Sequence, residues 1–182
     1  KPDMVYEFVS TSKVTFPGSG ISMMAASEGN RKEILRHLSV QTIGHDKINQ
    51  LRHARFLKDM DGVREQMNKQ GELTLIKFKI VWEVLERELS GLEIGSWEYP
   101  RGGYFISFEA LEGCAKAIVA KAKENGLTLT PAGASFPYGK DPKDSNIRIA
   151  PTYPSLDELK LAGEAFVLCV KLVSIDKILE SK

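Results

Sequence analysis

Apolar and polar positions along the chain change their spacing near Gly95. Before it the repeat is mostly helical, and after it strands and helices alternate. Val5 to Val9 is an apolar run interrupted by Glu7, and it predicts a short strand over 4–9. Residues 10–22 are rich in Ser, Thr, Pro and Gly and predict a loop. The Met23-Met24 pair is read as core. "SEGNRKEILRHLSV" predicts a helix with Ser27 as N-cap and a narrow stripe of Ile34, Leu35 and Leu38. Asp46 can cap the next helix. Within that helix Phe56, Met60, Val63 and Met67 recur at helical spacing, and Phe78, Val81, Trp82, Leu85 and Leu89 continue the stripe. Residues 46–89 are therefore mostly helical, with a break or kink, and Gly71 weakens the join without forbidding it. Ser90-Gly91 ends the run.

Beyond Gly95, "GGYFISFE" alternates, with Tyr104, Ile106 and Phe108 on one face and Phe105 and Ser107 on the other. "CAKAIVAKAKENG" is an amphipathic helix closed by Asn125-Gly126. "LTLTP" and "NIRIAP" read as short strands. The last helix starts at a capping box, Ser155 with Glu158 three residues on. This alternation predicts a compact α/β lobe over 95–182 that folds by itself.

Composition narrows the class. The 182 residues are 42% hydrophobic and 27% charged, which predicts a packed core. Lys+Arg 25 against Asp+Glu 24 leaves no electrostatic footprint for nucleic acid or an anionic membrane. Cys114 and Cys169 share no metal-ligand spacing and form no disulfide framework, in keeping with a reducing cytoplasm. The opening "KPDMVYEF" has no signal-peptide pattern and no initiator Met, so we expect a segment of a longer chain. His37, His45 and His53 are read as surface side chains rather than a metal site.

Three stretches could carry chemistry. Lys13 follows Ser10, Thr11 and Ser12 and precedes Pro17-Gly18-Ser19-Gly20. A lysine held there can react with an aldehyde cofactor, with hydroxyls and backbone N–H groups beside it for a phosphate. By spacing alone, a solvated lysine at a strand end explains the pattern as well. Arg148 alternates with Ile147 and Ile149, so it points away from the apolar face, and its planar fork suits a carboxylate. An ordinary edge-strand arginine is the competing reading. "TPAGASFPYG" packs two prolines and two glycines into ten residues, as a shaped loop at a site or a plain connection would.

Taken in order, "STSK" with its Pro/Gly loop, the long helical run, "RGGYF", "TPAGASF" and "IRIAP" resemble the C-terminal part of a fold-type-I pyridoxal-phosphate aminotransferase. "INQLRHARFLKD" and "PAGASFPYGKDPKDSNIRIAPTYPS" are similar to the MocR-like branch that includes type Ic aspartate aminotransferases. The resemblance covers essentially the whole chain. Arg148 stands 135 positions after Lys13, in keeping with the family's spacing.

The resemblance implies an α/β fold made of the end of a large domain (1–45), a connecting helix region (46–94) and a small C-terminal domain (95–182). It implies pyridoxal 5'-phosphate as cofactor. Lys13 matches the lysine that binds the cofactor aldehyde and moves the proton. Ser10 and Ser12 match phosphate ligands, and Arg148 matches the clamp on the substrate α-carboxylate. Many relatives have a phosphate-binding arginine seven or eight residues after the lysine, where this chain has Gly20 and Ile21. The implied parent is a cytoplasmic homodimer that moves an amino group between an amino acid, with aspartate as the candidate, and a 2-oxo acid. An alternative is the effector-sensing domain of a MocR-type regulator, and a third is a lyase on the same scaffold. The family keeps most cofactor contacts before the lysine, so this piece alone is expected to be inactive.

Overall fold

A computed structural model describes residues 2–180 of the chain. It divides into two compact units, 1–70 and 71–182. Each is taken in turn.

The first unit begins with a single 3-10 turn, Pro2–Met4, and then a hairpin. Strand β1 (Tyr6–Ser10) pairs antiparallel with β2 (Ser22–Ala26), in a register that sets Tyr6 against Ala26 and Ser10 against Ser22. The loop prediction for 10–22 therefore ends in a second strand. Met23, expected in the core, is exposed on that strand. "SMMAA" has neither alternation nor β-branched residues, so nothing in its pattern announces a strand.

Helix α1 (Glu28–Gln41) starts where Ser27 Oγ accepts the Asn30 N–H. Helix α2 (Lys47–Leu57) starts where Asp46 Oδ1 accepts the Asn49 N–H at 2.8 Å. Both are side-chain N-caps of the expected kind. The predicted break in the long helical run falls after α2, at Lys58. Lys58 has φ 63° and ψ −67°, and the Asp59 N–H donates to the Leu57 carbonyl at 2.7 Å. That is a γ-turn, a strained three-residue reversal. Asp59 Oδ1 then accepts the N–H groups of Asp61 and Gly62 and starts α3 (Met60–Leu89), which runs unbroken through Gly71.

The second unit holds the apolar core. Strand β3 (Gly95–Trp97) pairs with β4 (Ile106–Ala110), and β4 pairs with β5 (Asn146–Ile149). Both pairings are antiparallel, so β4 is central. Helix α4 (Ala115–Glu124) and helix α5 (Leu156–Glu180) join the C-terminal half of α3 in covering one face of this sheet. Ile106 and Phe108 of β4 and Ile147 and Ile149 of β5 point into that core with Ile118, Phe166 and Val170. Phe78, Val81, Val84, Leu85 and Leu89 of α3 belong to the same cluster, so a lobe starting at 95 lacks part of its own core.

The capping box forms as expected. The Ser155 hydroxyl donates to Glu158 Oε2 at 2.7 Å and the Ser155 N–H at 2.8 Å, and these two hydrogen bonds hold the Glu158 carboxyl below its ordinary value. "LTLTP" lies outside the sheet, although Leu127 and Leu129 pack against the core. No helix among the described residues is long and apolar enough to cross a membrane.

Candidate active site

In the first unit, Ser10, Ser12 and Lys13 come together at one turn. Strand β1 ends at Ser10, and the backbone then coils. The N–H groups of Val14 and Thr15 both donate to the Thr11 carbonyl, at 2.9 and 2.8 Å. Lys13 is at the middle of this coil and is exposed. Ser10 Oγ and Ser12 Oγ are 2.9 Å apart, and the Ser12 N–H donates to Ser10 Oγ at 3.2 Å. Two hydroxyls that share one hydrogen bond keep a second proton for an anion.

The other arm of the loop returns against this turn. The Thr11 N–H donates to the Ile21 carbonyl, and the Ile21 N–H donates back to Thr11 Oγ1, both at 2.9 Å. Gly20 lies so close that a Cβ there would be 2.3 Å from Ser12 Oγ and 2.7 Å from the Ser12 backbone nitrogen. No other residue type fits beside the hydroxyl pair. Hydroxyls, an amine and glycine-lined backbone form a donor set suited to a phosphorylated aldehyde.

Position 21 holds no arginine, but α2 brings Arg52 to the same arm. Its guanidinium lies 4.6 Å over the Phe16 ring and donates to Asn49 Oδ1 at 2.6 Å. A cleft of about 290 Å³ opens there, lined by Gly18, Ser19, Gly20, Asp46, Asn49 and Arg52 among others. Sequence spacing gave no sign of this, because Arg52 reads as one more charge on an amphipathic helix.

His53 corrects an expectation. It is 1% exposed, not a surface side chain, and its ring is hydrogen-bonded beneath the lysine turn. His37 and His45 are exposed, as expected.

In the second unit, Arg148 is on β5 opposite Ser107 of β4. Ile147 and Ile149 are buried while Arg148 is half-buried on the other face. Its Cζ lies 4.5 Å over the Phe105 ring, and its Nε is buried with no hydrogen-bond partner among the described residues. A buried guanidinium N–H without an acceptor is costly, and a carboxylate would satisfy it.

The rest of this face is fixed by polar contacts. Asn146 Nδ2 donates to Ser107 Oγ at 2.9 Å and to the Glu109 carboxylate, which also accepts from Ser145 Oγ. Asp141 organises the turn before β5. Its carboxylate accepts the N–H groups of Asn146, Ser145 and Lys143, led by Asn146, and these bonds hold it below the ordinary 3.8. After β5, Lys77 of α3 donates to the carbonyls of Thr152 and Pro154.

The "TPAGASFPYG" loop is shaped by Gly133, whose φ is 83°. A Cβ there would be 2.3 Å from the Gly139 carbonyl oxygen.

This geometry can be set beside known proteins. A family model described as aspartate amino-transferase matches residues 1–182. The chain belongs to that family. A Mycolicibacterium smegmatis protein named as an aminotransferase is 47% identical over 181 residues, covering 100% of this chain and 42% of the relative. The crystal structure of an aspartate transaminase from Corynebacterium glutamicum superposes with a TM-score of 0.91 at 40% identity, covering 94% of this chain and 41% of that one. LysN, an α-aminoadipate aminotransferase from Thermus thermophilus complexed with N-(5'-phosphopyridoxyl)-L-leucine, shares the fold. Its TM-score is 0.76 at 19% identity, over 93% of this chain and 42% of its own. This aspartate amino-transferase family chain thus spans about two fifths of the length of the relatives it matches.

Proposed function

We propose that the protein to which this chain belongs is a pyridoxal-phosphate-dependent aminotransferase that moves an amino group between an amino acid, with aspartate the first candidate, and a 2-oxo acid. The observation that carries the reading is the lysine turn. Lys13, Ser10 and Ser12 sit at one strand end, with Gly20 pressed against the hydroxyl pair. The family match and the C. glutamicum transaminase support the same reading and favour it over an effector-sensing domain.

When bound, the cofactor supplies an electron sink for charge developing at the substrate α-carbon. This chain supplies the rest. The Lys13 amine would hold the cofactor's aldehyde and would serve as the group that moves the proton at the substrate α-carbon. The Ser10 and Ser12 hydroxyls would hold the cofactor's phosphate. Arg148, steadied by the Phe105 ring, takes the substrate α-carboxylate. We propose further that 1–45 is the end of the cofactor domain, 46–94 the connecting region and 95–182 the small domain, and that the parent works as a homodimer.

The test is chemical. Reduction of the cofactor-loaded parent with borohydride, followed by peptide mapping, should place the pyridoxyl group on Lys13, and Lys13→Ala should abolish transamination. A label on another lysine would remove the central claim.

A further inference from the structure

We propose that His53 is a positioning residue for Lys13. Its Nε2 ties together the two ends of the turn that carries the lysine. This rests on the cofactor reading of Lys13 given above.

The ring's orientation is fixed from its own helix. Nδ1 lies 2.9 Å from the Asn49 carbonyl, one helical turn back in α2. A carbonyl only accepts, so Nδ1 carries the proton, and Nε2 of the neutral ring is an acceptor. Two hydroxyls meet its one lone pair, Thr15 Oγ1 at 2.8 Å and Thr11 Oγ1 at 3.1 Å, and the Thr15 hydroxyl also reaches the Thr11 carbonyl at 3.1 Å, so its proton has two acceptors in this turn. These residues bracket Lys13, two positions before it and two after.

Thr11 has a second duty. Its Oγ1 accepts the Ile21 N–H from the returning arm of the loop. One buried nitrogen therefore holds the start of the coil, its end and, through Thr11, the arm that presses Gly20 on Ser12. The edge-on Phe16 ring, 5.2 Å away, packs against the imidazole, and Phe16 in turn meets Phe56.

His53 is the one buried polar or charged side chain among the described residues of the first unit. A buried acceptor that meets a hydroxyl from each end of one short turn sets backbone geometry, because without it the part-buried Thr11 hydroxyl loses its acceptor. Lys13 stands on this backbone, so the turn sets where its side chain starts.

Two substitutions separate positioning from general packing. His53→Leu removes the acceptor and keeps an apolar side chain. His53→Gln offers an amide oxygen where Nε2 stands. Two readouts are taken on the full-length parent that contains this chain. One is hydrogen exchange at the amides of Thr11, Val14, Thr15 and Ile21, with amides of β4 and α4 as internal reference. The other is borohydride-trapped pyridoxal 5'-phosphate at Lys13 relative to Lys32, which is solvated on α1.

His53→Leu should speed exchange at the four loop amides by roughly 10- to 100-fold and leave the reference amides alone. It should also bring labelling of Lys13 down to that of Lys32. His53→Gln should restore most of both. Loop exchange at wild-type rates in His53→Leu overturns the proposal. So does an unchanged Lys13 preference, or a glutamine variant no better than leucine.

A wild-type parent that labels Lys13 no faster than Lys32 overturns the cofactor reading and, with it, the lysine's claim on His53. The exchange arm needs no cofactor and then still decides whether His53 fixes the turn.

Discussion

At Arg148 three requirements meet on one side chain. Alternation along β5 turns it away from the core, the Phe105 ring supports its flat face, and its Nε has no acceptor among the described residues. Truncating one partner of a desolvated charge pair costs about 2–5 kcal/mol. In the active enzyme Arg148→Ala should therefore lower kcat/KM by roughly two to three orders of magnitude, and Arg148→Lys should recover little, because a point charge lacks the fork. Phe105→Leu should raise the amino-acid KM about two- to fivefold, the worth of an exposed cation–π contact of about 0.5–1 kcal/mol. Phe105→Tyr should keep it. Steady-state kinetics with aspartate decide the matter, and an unchanged KM in Arg148→Ala would reduce the arginine to an ordinary strand residue. The sequence showed Arg148 and not its support. Phe105 was placed on the same face as Ser107, but that Ser107 faces Arg148 follows only from the β4–β5 register.

At the scale of elements, caps were readable and junctions were not. Ser27, Asp46 and Ser155 announce their helices because an N-cap is a local device, made within three or four residues. The β2 strand and the partners of His53 depend on residues well away in sequence, and no local pattern encodes them. "LTLTP" shows the converse, an alternation that finds no place in the sheet. A break was expected somewhere in 46–89, with Gly71 weakening the helix without forbidding it, and the two glycines of α3 do different things. A Cβ at Gly71 meets nothing within 4 Å, whereas one at Gly62 would lie 1.8 Å from the Leu57 carbonyl oxygen. Gly62 is what lets the γ-turn at Lys58 fold back on α3. Gly71→Ala should stabilise by about 0.5–1 kcal/mol, the helix preference of alanine over glycine. Gly62→Ala should destabilise by at least about 1–3 kcal/mol, since backbone must move. Thermal unfolding followed at 222 nm should show Tm rising in the first and falling in the second. Equal shifts would mean that the junction tolerates a side chain.

For the molecule as a whole, the contrast between the two units matters most. Among the described residues the buried apolar cluster is drawn wholly from Phe78 onward, within the second unit. The first unit leaves Phe8 74% and Met23 53% exposed on its hairpin. Two-stranded hairpins without a covered face are marginal in water. Helix α5 is apolar on two sides. It buries Phe166, Val170 and Val173 and exposes Leu161, Leu168, Leu172, Ile175 and Leu179 at helical spacing. The boundary of an independently stable piece then follows from the core. A cut at 95 removes Phe78, Val81, Val84, Leu85 and Leu89, five buried side chains worth about 1.5–3 kcal/mol each. That is comparable with the whole net stability of a domain, about 5–15 kcal/mol. A cut at 71 keeps all five. We expect 71–182 to unfold in one cooperative urea transition, with protected amides in β4, β5, α4 and α5, and to self-associate through the outer face of α5 as concentration rises. We expect 95–182 to show no transition and rapid exchange throughout. Circular dichroism, hydrogen exchange and light scattering on the two pieces check this. A piece 95–182 that unfolds at the same urea midpoint as 71–182 would show that α3 only lies against a core complete without it.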